Sequence, residues 1–215
     1  MKIHVLVAIL ALGIARADLT LTQQMETTAG GKPALIHTKI KDGKIRTDVG
    51  QEMTAIIDSR TGDTTSLLHV QKAVVKLSGA DIKAAAQASL GKEENGTPEP
   101  PKPTGRKETI SGFECEEYVT TFNGQKIEVW LAKNVPDLEE IYSQLSALKA
   151  SGGPESQWFS DPELKGIPVR TIAEVPGAGK ATITLVSINR DPLPASDFEI
   201  PSGYQELKMP SIPGR

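Results

Sequence analysis

Ile36-His37-Thr38-Lys39-Ile40-Lys41-Asp42-Gly43-Lys44-Ile45-Arg46-Thr47-Asp48-Val49 is the stretch on which the fold turns. Two segments of alternating character meet at Asp42-Gly43. A two-residue type I′ hairpin turn needs positive φ at both central positions, and Asp-Gly supplies it at low cost. Successive side chains of a strand point to opposite faces. Ile36, Thr38 and Ile40 therefore share one face, and Ile45, Thr47 and Val49 share a face of the next strand. His37 falls opposite Ile36 and Ile40, so it is expected to face solvent rather than act as a base or ligand. Upstream, Gly30-Gly31 divides Leu19–Thr28 from Pro33–Lys41. Downstream come Thr54–Asp58, the turn Ser59-Arg60-Thr61-Gly62, and Thr64–Leu77. These segments predict an antiparallel meander.

Beyond the meander the punctuation changes. Ser78-Gly79-Ala80-Asp81 resembles a capping box, and Ala80–Leu90 reads as an alanine-rich helix stopped by Gly91. Residues 92–105 carry Pro98, Pro100, Pro101 and Pro103 and read as a solvated loop or linker. Asn95-Gly96-Thr97 within it matches a glycosylation acceptor only loosely. Strands resume over Glu108–Thr120, and Asn123-Gly124 makes a second I′-type turn into Gln125–Lys133. Pro136–Ala150 predicts a helix, with Leu138, Ile141, Tyr142, Leu145 and Leu148 at helical spacing. One face of that helix must be covered. After Gly152-Gly153-Pro154 and Trp158-Phe159, strands are predicted at Val169–Val175, Ala181–Asn189 and Phe198–Leu207, followed by a loose tail at 209–215.

The N-terminal segment reads as a secretory leader at residues 1–17. Lys2 is the charged start, Ile3–Ile14 is apolar except for His4, and Ala15-Arg16-Ala17 offers small residues for cleavage before Asp18. The apolar run is shorter than the roughly 20 residues of a membrane span, and no lipid-acceptor cysteine follows the cleavage site. The expectation is an exported, soluble protein, periplasmic or secreted, with one domain over 18–208 and no transmembrane anchor in the mature chain. Loss of Lys2 and Arg16 leaves 22 basic residues against 27 acidic ones, a balance that argues against a nucleic-acid partner. Aromatics make up only 4% of the chain, so aliphatic side chains must build most of the core. The lone Cys115 has no partner for an intrachain disulfide and reads as a buried small apolar residue.

Catalytic chemistry needs convergent groups, and few are offered. With His4 in the leader, only His37 and His69 remain, and His69 has no Cys, Asp or Glu at ligand spacing. No zinc signature and no nucleophile–histidine–acid set can be assembled. Pro176-Gly177-Ala178-Gly179-Lys180 looks like a phosphate loop, but a Walker sequence would need glycine at 174 and Ser or Thr at 181, where Glu174 and Ala181 stand. It reads as a hairpin turn. Glu116-Glu117 and Glu139-Glu140 read as solvated faces. No catalytic residue, metal or cofactor is assigned, and the chain is expected not to be an enzyme.

Ile110-Ser111-Gly112-Phe113-Glu114-Cys115-Glu116-Glu117-Tyr118 and Glu128-Val129-Trp130-Leu131-Ala132 are more specific than composition. With Gly166-Ile167-Pro168-Val169, Leu185-Val186-Ser187-Ile188 and Phe198-Glu199-Ile200-Pro201-Ser202-Gly203-Tyr204, they resemble the family of exported bacterial proteins that carries the uncharacterised domain DUF4412. That family is in turn similar to the periplasmic lipoprotein-carrier superfamily of LolA-, LolB- and LppX-like proteins. The resemblance implies an α+β fold, a curved antiparallel β-sheet or half-barrel wrapped around one or two helices, with a lipid or acyl chain on its concave face. Against that pattern, residues 92–105 look like an insertion. The implied lining residues are Ile36, Ile45, Ile57, Trp130, Leu138 and Ile141. The alternative is a structural or interaction module of the cell envelope that docks a protein partner through a sheet edge or the Pro-rich loop.

Overall fold

The computed structural model describes residues 18–30, 32–90, 100–122, 124–146, 164–175 and 179–207. The expected leader at residues 1–17, Asn95-Gly96-Thr97, Asn123, the end of the expected Pro136–Ala150 helix from residue 147 on, Trp158-Phe159, the centre of the Pro176–Lys180 turn and the tail lie outside them. Twelve strands among the described residues form one open sheet. β1 (Leu19–Thr27), β2 (Ala34–Lys41), β3 (Lys44–Val49), β4 (Met53–Asp58), β5 (Thr64–Leu68) and β6 (Ala73–Leu77) make a first meander. β7 (Lys102–Ile110), β8 (Phe113–Phe122), β9 (Gln125–Ala132), β10 (Ile167–Val175) and β11 (Gly179–Asn189) make a second. The two are sewn together where β1 pairs with β11, and the short β12 (Gln205–Glu206) adds beside β6 in parallel. The protein is α+β, a curved antiparallel half-barrel with few helices.

The Asp42-Gly43 turn forms as its chemistry requires, with φ of 48° and 77°. Its register pairs Ile40 with Ile45, and Ile45 pairs in turn with Ile57. Leu19 stands opposite Ile40, so Leu19, Ile40, Ile45 and Ile57 make one apolar row across four strands. The helix α2 (Leu138–Leu145) lies on this face, where Ile141 and Leu145 join a core drawn from both meanders, including Leu21, Trp130, Ile167, Val169 and Leu185. A sheet whose two halves meet the same two helical side chains must curve around them. The helix α1 (Gly79–Leu90) keeps Ala80, Asp81, Lys83 and Ala84 exposed. On the other face of the second meander, Leu164 covers Tyr118, Ile127, Val129 and Leu131.

Four sequence readings are corrected. Thr64–Leu77 is a hairpin, because Lys72 takes φ of 47° in a turn without a Gly or Pro signal. Glu108–Thr120 likewise folds back at Ser111-Gly112, at φ of 50° and 82°. Lys102–Gly105, expected to be loop, is the start of edge strand β7, with Lys102 and Pro103 paired to Val119 and Tyr118. Phe198–Leu207 is not one strand, since Pro201 and a left-handed Gly203 interrupt it and only Gln205–Glu206 pair. Instead, a 3-10 turn at Ala195–Phe198 leads a strap across the convex face of the first meander.

α1 begins as the capping box predicts, with the Asp81 N–H donated to Ser78 Oγ at 3.1 Å. Gly79 is needed for another reason. A Cβ there would sit 2.1 Å from the Thr61 carbonyl oxygen. Gly79→Ala is therefore expected to cost roughly 1–3 kcal/mol through forced backbone shifts. Thermal melting followed by circular dichroism checks it, as a drop of several degrees.

Candidate functional site

The concave face is built in ladder rows. The row beneath α2 is closed: Ile45, Trp130 and Ile141 are only 1%, 3% and 3% exposed, and Ile57 and Leu138 pack against them. Five of the six expected lining residues thus meet in one core. Ile36 lies apart, two ladder rows along. There Ile36 pairs with Val49, Val49 with Met53, and Met53 with Leu68, all on the α2 side of the sheet. Directly opposed residues share a face at about 5 Å, so this is a continuous apolar row about 14 Å long. It is open: Met53 is 39% exposed and the other three are partly exposed. Between the two rows, Thr38, Thr47, Ala55 and Ser66 present small side chains. Val49, Met53 and Leu68 join Ile36 because of register, which the sequence reading did not carry past Val49.

The convex face holds a polar chain that sequence reasoning missed. Arg46 Nε donates to both carboxylate oxygens of Asp48 at 2.8 and 3.0 Å, and Arg46 Nη1 donates to the Asp197 carbonyl at 2.5 Å. Lys39 pairs with the Asp197 carboxylate at 2.6 Å. Thr54 Oγ1 donates to Asp48 at 2.5 Å and lies 2.8 Å from His69 Nε2, while His69 Nδ1 meets the Tyr204 hydroxyl. A neutral ring carrying its proton on Nε2 satisfies every link: Tyr204 donates to His69, His69 to Thr54, and Thr54 to Asp48. The set mimics an acid–hydroxyl–histidine triad, yet Thr54 is fully buried and its proton is committed to Asp48. Its work is to tie the strap to the sheet. Tyr204 lies 135 residues from His69, so no local spacing could reveal the link. His37 is half-buried rather than freely solvated, with Nδ1 3.2 Å from Thr22 Oγ1.

Burial alone would raise the Asp48 pKa, but the hydrogen bonds from Arg46 and Thr54 and the charges of Arg46 and Lys39 hold it below the usual carboxylate range. Asp18 follows the same logic, with burial outweighed by Lys41 and the Leu193 N–H. Glu117 corrects another expectation. Neighbours on a strand face opposite ways, so Glu117 turns in beside Trp130 and is only 2% exposed, while Glu116 stays partly solvated. Among the described residues no group of three His, Cys, Asp or Glu is placed to hold a metal ion. No helix among them is long and apolar enough to cross a membrane.

A cleft of about 620 Å³ opens at the β7–β9 edge, lined by Lys107, Glu108, Glu114, Cys115, Lys133 and Asn134 among others. None of the six expected lining residues is in it. Cys115 itself is buried, and burial pushes its thiol pKa up. The thiol is expected to react with a disulfide reagent on the order of a hundredfold slower in the folded protein than in denaturant. Colorimetric titration with and without denaturant checks this.

A family model described as a domain of unknown function, DUF4412, matches residues 12–204. No curated protein matches the chain. Among solved structures, PNGF-II in the P21 space group is similar at 14% identity and a TM-score of 0.48, over 89% of this chain and 31% of that one. The chain thus spans about a third of the length of that protein. A putative outer membrane lipoprotein-sorting protein domain from Vibrio parahaemolyticus is similar at 12% identity and a TM-score of 0.37, over 86% and 90%. A LolA superfamily protein from Nitrosomonas europaea is similar at 10% and 0.34, over 85% and 89%.

Proposed function

We propose that this chain, which belongs to the DUF4412 family, is a non-enzymatic, exported carrier that holds an apolar ligand, a lipid or acyl chain, on the concave face of its half-barrel. The observation that carries this reading is the open row Ile36, Val49, Met53 and Leu68. An exposed apolar surface on the inner side of a curved sheet gains about 0.8 kcal/mol for each methylene it removes from water. An extended acyl chain laid across the four strands would cover the row, with the small side chains of Thr47, Ala55 and Ser66 leaving it room toward α2. Ile45, Ile57, Leu138 and Ile141 form the floor in this reading, reached only when α2 gives way, and Trp130 borders that floor with its ring under Arg106. Reading residues 1–17 as a leader supports release into the periplasm or beyond.

Docking of an envelope protein by strand addition has less support. Of the two outermost strands β12 has only two residues, and the longer, β7, is blunted by Pro103, by a register shift between Pro103 and Lys107, and by Lys102, Arg106 and Lys107.

Incubation of the purified protein with a bacterial lipid extract, followed by native mass spectrometry, tests the carrier reading. The expected result is a retained lipid adduct. Met53→Arg should lower its occupancy about tenfold or more, since a charge beside the chain must be desolvated, while leaving the melting temperature of this exposed site almost unchanged. A wild-type protein that retains no lipid would sink the proposal.

A further inference from the structure

We propose that the ligand carries a cationic head, an alkylammonium or alkylguanidinium group, received by Glu117 and Trp130 in the place now held by Arg106. This rests on the carrier reading above and names the chemistry of its cargo. Glu117 stands directly opposite Trp130 in the β8–β9 register, so carboxylate and indole share a face, and Trp130 belongs to the core around α2. A carboxylate so deeply buried is costly unless charge and hydrogen bonds answer it. Glu117 Oε2 accepts a hydrogen bond from Thr104 Oγ1 at 2.7 Å. Oε1 is buried and accepts none among the described residues. Among the described residues its ion pair is with Arg106, with Nη1 3.3 Å away and the guanidinium 5.2 Å from the centre of the Trp130 ring.

A carboxylate, an aromatic face and a hydroxyl converging on one point form a receptor for an organic cation. Arg106 is a loose occupant. It is 66% exposed and lies on the edge strand, in the stretch where the register between Pro103 and Lys107 slips and Gly105 takes φ of 79°. Removing it from the site breaks no ladder pairing, because no strand partner stands opposite it. Lys126, which also interacts with the Glu117 charge, is engaged with Glu128 at 2.9 Å. An anionic head would face the buried carboxylate and be repelled.

The test compares three probes of one chain length, dodecylammonium, dodecanol and dodecanoate, below micellar concentrations. Binding is read from Trp130 fluorescence in a Trp158→Phe background and by calorimetry. The expected order is ammonium tightest, alcohol next and carboxylate weakest, with about tenfold or more between the two charged heads. Glu117→Gln should erase that preference while alcohol binding persists. Arg106→Gln, which leaves Glu117 in place and frees the site, should tighten ammonium binding severalfold and covers the case in which Glu117→Gln fails to fold. Equal affinities, a preference for carboxylate, or ammonium binding unchanged or weakened by Arg106→Gln overturn the head-group assignment and leave the carrier reading standing. Failure of all three probes to bind overturns the carrier reading itself.

Discussion

Ile141→Ala combined with Leu145→Ala is expected to cost about 4 kcal/mol or more and to lower the melting temperature by roughly 10 °C or more. α2 has eight residues, about two turns, far below the length at which a helix persists alone in water. It starts at Asp137 with φ of 55° and no side-chain cap, so local signals give it little help. Its ion pairs, Arg190 with Glu140 at 2.6 Å and with Asp137 at 3.8 Å, and Lys165 with Glu139, involve partly or largely exposed groups and are worth about 0–1 kcal/mol each. What holds the helix is the burial of Ile141 and Leu145 against both meanders. Removing those side chains leaves a cavity between the sheet halves, whereas Glu140→Gln should change stability by less than about 1 kcal/mol. Circular dichroism melts of the two variants make the comparison. If the double alanine variant melts within a degree or two of wild type, α2 does not plug the concave face.

Asp48→Ala is expected to free the strap over residues 190–207 and to cost about 3 kcal/mol, because it leaves Arg46 half-buried and unpaired and breaks the relay through Thr54 and His69 to Tyr204. The same contacts set an acid limit. Asp48 and Asp18 titrate below the ordinary aspartate value, near 3.9 in an unfolded chain. A group depressed on folding contributes stability that is fully present above its unfolded pKa and is lost as pH falls through its folded pKa. Stability should therefore hold on the neutral side and fall below about pH 4, with the strap released first. Asp18 fastens the strap at Leu193, and Asp48 fastens it through Arg46 at Asp197. Melts across pH 3–8, with limited proteolysis mapping cleavage between 190 and 207, read both effects. Asp48→Ala should be nicked in the strap at neutral pH, and wild type should not. A variant as resistant as wild type would show that the strap is held elsewhere.

The sheet was legible wherever turn chemistry was explicit. Asp42-Gly43 announced its hairpin, and alternation then placed Ile36, Ile40 and Ile45 correctly. The turn at Lys72 carries no such mark, and at Ser111-Gly112 the glycine sits inside a run that otherwise reads as strand, so each hairpin reads as a single long strand. Edge strand β7 hid in a proline-rich stretch, because proline is tolerated where no partner asks for its N–H. Five of the expected lining residues meet in one core, and neither periodicity nor resemblance can tell a lining residue from a core residue. That distinction depends on which ladder row α2 covers. The strap clamp and the Glu117–Trp130 pairing depend on register and on contacts between residues far apart in sequence, which one sequence does not display.

Photo-crosslinking tests the central claim most directly. A long-chain alcohol probe with a diazirine near the chain terminus is bound to the purified protein, irradiated, and mapped by peptide mass spectrometry. The carrier account requires labels on Ile36, Val49, Met53 or Leu68, competed by unlabelled lipid and lost in Met53→Arg. Labels confined to the convex face around Ile56, Phe198 and Tyr204, or no competable label at all, would contradict it.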